Sequence, residues 1–202
     1  MSHWMYAYVF LSTPAEKAGS AVRIFASGGF ALGSAASEVR VDDEGHCEAS
    51  DWKHVLEPSD WTRLAQLLDQ DVDLQLELRD EVFFFALMFA RHARTPHVLL
   101  GWSDKLFDEM IPTRRARFLQ LLEEFAESLS GIVILVREPP GYFEDYVEVG
   151  QDSALVEAVD TLGRPIDVWQ IWTDRHLELR GAAARPIGKR SGRFSKFVLG
   201  SV

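Results

Sequence analysis

Polar and apolar residues alternate in some stretches of this chain and recur at helical spacing in others. Leu74, Leu76 and Leu78 alternate with Gln75, Glu77 and Arg79, the period of two that marks a strand with one buried face. Val82 to Ala90 has no polar face, which predicts a strand covered on both sides in preference to a buried helical segment. Met5 to Leu11, Val98 to Trp102, Ile132 to Val136, Tyr142 to Val149 and Val168 to Trp172 predict further strands. Trp61, Leu64, Leu67 and Leu68 follow Pro58 and a Ser59 or Asp60 cap at helical spacing, predicting a helix that runs to Asp69. Phe118, Leu122, Phe125 and Leu129 make the stripe of a longer helix, capped by Thr113, reaching Ser130 and ended by Gly131. Strand, helix and strand from Val98 to Val136 predict a βαβ crossover, with room between Ser103 and Pro112 for a separate helical turn.

The N-terminal quarter, residues 1–57, is the least patterned. Thr13-Pro14-Ala15-Glu16 has capping-box spacing, Ala21 to Ala26 and Glu38 to Val41 read as short extended pieces, and Asp42-Asp43-Glu44-Gly45-His46 is an acid-rich turn. At the other end, Phe194 to Leu199 is expected to fold back as an edge strand after a Gly188 to Gly192 turn, because its apolar side chains favour burial. No linker or convincing repeat divides the chain. The expectation is one α+β unit over residues 1–202, with a mixed, mainly antiparallel sheet of about five or more strands and two main helices packed on it.

Composition agrees: 47% hydrophobic and 26% charged residues are ordinary globular usage. The single Cys47 excludes an internal disulfide framework and a cysteine zinc cluster. Met1-Ser2-His3-Trp4 lacks the basic residue of a targeting leader, and the longest apolar run, Val82 to Ala90, is about half the roughly 20 residues a membrane helix needs. A cytoplasmic chain with no membrane contact is expected.

Catalytic signatures are absent: no G-x-S-x-G, H-E-x-x-H, G-x-G-x-x-G or Walker sequence occurs. Gly28-Gly29-Phe30-Ala31-Leu32-Gly33-Ser34 lacks the lysine that a phosphate loop requires, so a glycine-rich turn is the better reading. Cys47 beside His46, with His54 further on, has no spacing that identifies a nucleophile or a metal ligand. His92 and His97 are separated by Pro96 and read as solvated loop. Asp104 and Asp108, with Glu109 beside them, are four apart and would share a face if the segment is helical, but these acids are too few to hold a cation. Asp174 and His176 could orient a general base at a strand end, yet no nucleophile accompanies them. No catalytic residue, metal or cofactor is assigned.

Charge placement says more. Lys and Arg number 21 against 31 Asp and Glu, a net of −10. All six bases from Arg180 onward, namely Arg180, Arg185, Lys189, Arg190, Arg193 and Lys196, lie where no acid occurs, so residues 1–179 hold 15 bases and 31 acids, a net of −16. Such a body repels nucleic acid and attracts cationic partners. Its acids gather twice: Asp42, Asp43, Glu44, Glu48 and Asp51 in one stretch, and Glu144, Asp145 and Glu148 among the aromatic Tyr142, Phe143 and Tyr146 in another. Carboxylates beside aromatic rings can pair with and stack on guanidinium groups.

In class, though not motif by motif, a small acidic α+β chain without a catalytic constellation resembles the inhibitory partners, or immunity proteins, that bacteria carry against their own toxins. The expectation is a protein that occludes a cationic surface of a partner such as a cognate toxin, through those two clusters. The alternatives are an enzyme of unrecognised class built on Asp174, His176 and Asp104, or a subunit of a larger assembly.

Overall fold

In chain order the elements are β1 (Trp4–Phe10), α1 (Ala18–Ala21), α2 (Arg23–Ser27), β2 (Ala31–Val41), β3 (Cys47–Val55), α3 (Trp61–Asp69), β4 (Leu74–Arg79) and β5 (Phe84–Ala90). They continue with β6 (His97–Ser103), α4 (Asp104–Glu109), α5 (Pro112–Ser128), β7 (Ile132–Val136), β8 (Val168–Thr173), β9 (Ala184–Pro186) and β10 (Ser195–Leu199). The computed structural model describes residues 4–11, 18–41, 47–70, 72–93, 96–129, 131–136, 168–173, 184–186 and 194–199; the expected strand at Tyr142 to Val149 and the helix start at Thr13 lie outside them.

The strands join one sheet in the order β3-β2-β4-β5-β6-β1-β7-β8-β10-β9, and with the helices this makes an α+β architecture. Every pairing among the described residues is antiparallel, where a mixed sheet was expected. The crossover from β6 through α4 and α5 to β7 does connect parallel strands, but β1 is inserted between them and pairs antiparallel with both. The parallel relation therefore never becomes a parallel ladder.

Local chemistry sets the element ends. The Asp60 carboxylate accepts from Arg63 N at 2.9 Å and caps α3. Ser103 does the same for α4 by accepting from Leu106 N at 3.4 Å. Helix α5 opens on Pro112 behind Ile111, whose side chain gives no cap, so Thr113 sits inside the first turn and is not the expected cap. Ala21 to Ala26, expected to be extended, falls in two short helices joined at Val22: Ala18, Ala21, Val22 and Phe25 are all buried, the i, i+3, i+4, i+7 spacing of one helical face.

The helices bring their apolar faces to one core with the sheet. The Phe25 ring lies 5.0 Å from Phe85 of β5 and 5.1 Å from Phe125 of α5, and Phe118 lies 5.3 Å from Phe85 and 5.2 Å from Trp102. Each such buried ring stabilises by roughly 1.5–3 kcal/mol. Two glycines permit the close approach. A Cβ on Gly28 would meet Leu121 Cδ1 at 2.1 Å, and one on Gly19 would meet the backbone of Ala65 at 3.0 Å.

On the opposite sheet face the registers line up a row of cross-strand neighbours, Trp52, Ser37, Gln75, Met88, Leu99 and Tyr8. His97, expected in a solvated loop, begins β6 on this face and is buried, its ring 5.7 Å from Tyr8 and 6.1 Å from Phe10. Strand β10 lies between β8 and β9 and not at an edge. Its Lys196 pairs with Glu123 of α5 and stands 4.3 Å from the Trp172 ring centre, next to the fully buried Phe194.

Candidate functional site

Strand β3 reads Cys-Glu-Ala-Ser-Asp-Trp-Lys-His-Val, a sequence with neither strong β propensity nor a period of two. It is a strand because β2 templates it, and the ladder between them slips at Ala36/Ser37 and again at Ser37/Val39. Such irregularities are common at sheet edges, and β3 is the last strand at its end of the sheet.

The charges of β3 are not equivalent. Lys53 Nζ donates to Glu38 Oε2 at 2.7 Å, and His54 Nε2 lies 3.1 Å from Glu38 Oε1. These contacts, Lys53 foremost, hold the Glu38 carboxyl below its ordinary range. The base of the strand is thus already engaged, and His54 is turned to Glu38. Glu48 and Asp51, in contrast, are exposed, and their carboxylates make neither a hydrogen bond nor an ion pair. Just beyond them stand Trp52, 60% exposed, and Val55, 82% exposed. An indole left this open on an edge is the part of the surface that packing does not explain.

The structure thus places two of the eleven residues singled out in the sequence, Glu48 and Asp51, on one exposed strand. Asp42, Asp43 and Glu44, and the whole second cluster of Tyr142, Phe143, Glu144, Asp145, Tyr146 and Glu148, lie outside the described residues, as do His46, Asp174 and His176. Asp108 and Glu109 are engaged with bases, Arg115 at 3.8 Å and Lys105 at 3.9 Å. Among the described residues no group of three His, Cys, Asp or Glu is arranged to hold a metal ion.

A cavity of about 580 Å³ opens beside the glycine pair, bounded by Gly28, Gly29, Arg79, Asp80, Glu81 and Arg114 among others. Burial pushes the Asp80 pKa up, but the Arg114 guanidinium and the N–H groups of Val82 and Phe83, at 3.0 and 2.9 Å, outweigh it and leave the group below its ordinary range. Two carboxylates on the wall disfavour a phosphate there. The glycines have structural reasons to be present: Gly28 makes room for Leu121, and Gly29 takes a positive φ of 88°.

One polar cluster has no counterpart in the sequence reading. Asp73, 3% exposed, accepts from the backbone N–H groups of Arg91 and His92 at 3.0 and 3.1 Å. His92 Nδ1 lies 3.1 Å from its Oδ2, and Arg91 donates to Val72 O at 2.9 Å. Partners 18 and 19 residues away leave no local motif, so no spacing could have revealed them.

Architecture alone defines the class: an α+β chain with a long antiparallel sheet whose exposed end strand carries unpaired acids beside a tryptophan. No family model, curated protein or solved structure matches it.

Proposed function

We propose that this protein binds and occludes a cationic surface of another protein, in the manner of an immunity protein covering a cognate bacterial toxin. The observation that carries the reading is the open end of β3, where Glu48 and Asp51 have no partner among the described residues and are followed at once by the exposed Trp52. Two free carboxylates can take guanidinium or ammonium groups by charge-assisted hydrogen bonds. An indole directly after Asp51 supplies the rigid apolar anchor that dominates many interfaces. The acid surplus of residues 1–179 steers such a partner in and argues against nucleic acid as the target.

The test is co-purification. A basic protein should be recovered in 1:1 ratio with the chain, and reversing charge in the variant Glu48→Lys/Asp51→Lys should abolish recovery. Undiminished recovery with that variant would remove β3 from the interface.

A second reading, an enzyme, has one observation behind it. The buried Asp73 holds the imidazole of the half-exposed His92 through Nδ1, which is how a carboxylate orients a general base. The same carboxylate also receives two backbone N–H groups of the turn after β5, and a turn clamp accounts for all of these contacts without any substrate.

A further inference from the structure

We infer that β3 is a docking strand, and that an extended, cation-bearing segment of the partner adds to its free edge and lengthens the sheet. The inference rests on the binding reading above and adds the way in which the partner is held. Among the described residues β3 pairs with β2 alone and ends the sheet. From Glu48 to Val55 every residue is exposed except the half-buried Ser50 and His54, so no other described segment covers the strand. One row of its backbone N–H and C=O groups therefore points away from the sheet, and such a row is a template for another strand.

Proteins usually guard such an edge with bulges, prolines and charges of either sign. Here, beside the two ladder irregularities, Lys53 is taken by Glu38, so the charges that remain as guard are of one sign, Glu48 and Asp51. Acidic guarding discriminates between visitors. A second copy of the chain arrives with a net charge of −10 and would set carboxylates against carboxylates, which is unfavourable for directly opposed strands. A strand bearing Arg or Lys meets complementary charge at the same positions. Trp52 and Val55 then offer apolar contact to side chains of the incoming strand, Trp52 on the sheet face opposite the described helices, where it neighbours Ser37. The favoured occupant is thus a basic segment of a different protein, and self-pairing is the alternative the charges oppose.

The probe is a synthetic peptide of alternating Arg and Thr, matched to the 9 residues of β3, together with the same peptide N-methylated at alternate amides. N-methylation keeps charge and extension but removes donors to the edge. We expect the unmodified peptide to bind the full-length protein, to slow amide hydrogen exchange within Glu48 to Val55, and to bind at least about tenfold more tightly than the methylated form, several backbone hydrogen bonds being lost. Glu48→Lys/Asp51→Lys should weaken both peptides. Equal affinity of the two peptides overturns strand addition and leaves charge-driven binding intact. Loss of binding for both overturns the binding reading as well. Protection confined to residues outside β3, or a dimer of the protein alone that protects β3, also overturns the inference.

Discussion

The chain at Val72 and Asp73 ties three parts of the molecule together through one carboxylate and two backbone carbonyls. The Val72 carbonyl receives the Arg91 guanidinium, the Asp73 carboxylate receives the turn at Arg91 and His92, and the Asp73 carbonyl accepts from Val39 N at 2.8 Å. Removing the carboxylate leaves two part-buried N–H groups without their acceptor and takes away the counter-charge 3.6 Å from the nearly buried Arg91 guanidinium, and breaking a buried pair from one side costs on the order of 3–5 kcal/mol. Asp73→Ala should lower stability by that amount in urea denaturation. Asp73→Asn keeps an acceptor and should cost clearly less. A loss under about 1 kcal/mol for the alanine variant would mean that the turn at Arg91 is held elsewhere, and a surface value of that size is what exposed pairs usually give. Nothing in the sequence around Asp73 announces this. An acid next to a leucine-rich strand looks like any strand-flanking acid until the fold brings Arg91 to it.

The elements that were legible are those whose pattern is enforced by one wet and one dry side. Helix α3 and strand β4 are of this kind, and each begins and ends within a residue or two of its expected place. Two failures have different physical origins. Helices α1 and α2 span only 4 and 5 residues, so the exposed polar positions Ser20, Arg23 and Ser27 are too few to establish a helical period. Strand β3 is exposed on most sides, so no apolar face betrays the strand period. Of the candidate site, the acids Glu48 and Asp51 were visible as charge, but not the fact that they ride on an edge strand or that Lys53 is neutralised by Glu38. The join between α5 and β7 is another feature visible only as half of what it is. Gly131 reads as a helix stop, and it is also a contact: its N–H returns to Ala126 O at 3.0 Å, and a Cβ there would stand 2.5 Å from Val9 Cγ1 and 2.9 Å from Phe10 O. Because one obstacle is backbone of the central strand β1, it cannot rotate away. Gly131→Ala should therefore destabilise by about 1–3 kcal/mol, as overpacking does, read from the shift of the denaturation midpoint at unchanged m-value.

For the whole molecule the decisive quantity is how its charge is distributed between internal pairs and the outside. The basic C-terminal residues do not simply cancel the acidic body, since Lys196 is committed to Glu123 and to the face of Trp172. Nor do the acids of the N-terminal half all face outward: Asp73, Asp80 and Glu38 are each held by bases or N–H groups of their own. What remains for a partner includes the unpaired edge acids, backed by the long-range field of the surplus negative charge. These two contributions separate kinetically. The field acts at distances beyond the roughly 8 Å screening length of physiological salt and governs encounter, whereas contacts at β3 govern escape. Measured against the basic partner proposed above, the association rate constant should fall by about tenfold or more between low salt and 0.5 M, with a much smaller change in dissociation. Trp52→Ala should do the reverse, speeding dissociation and leaving association nearly untouched, because it carries no charge and stands at the contact. An association rate indifferent to salt would show that the acid surplus has no part in recognition, however exposed Glu48 and Asp51 are.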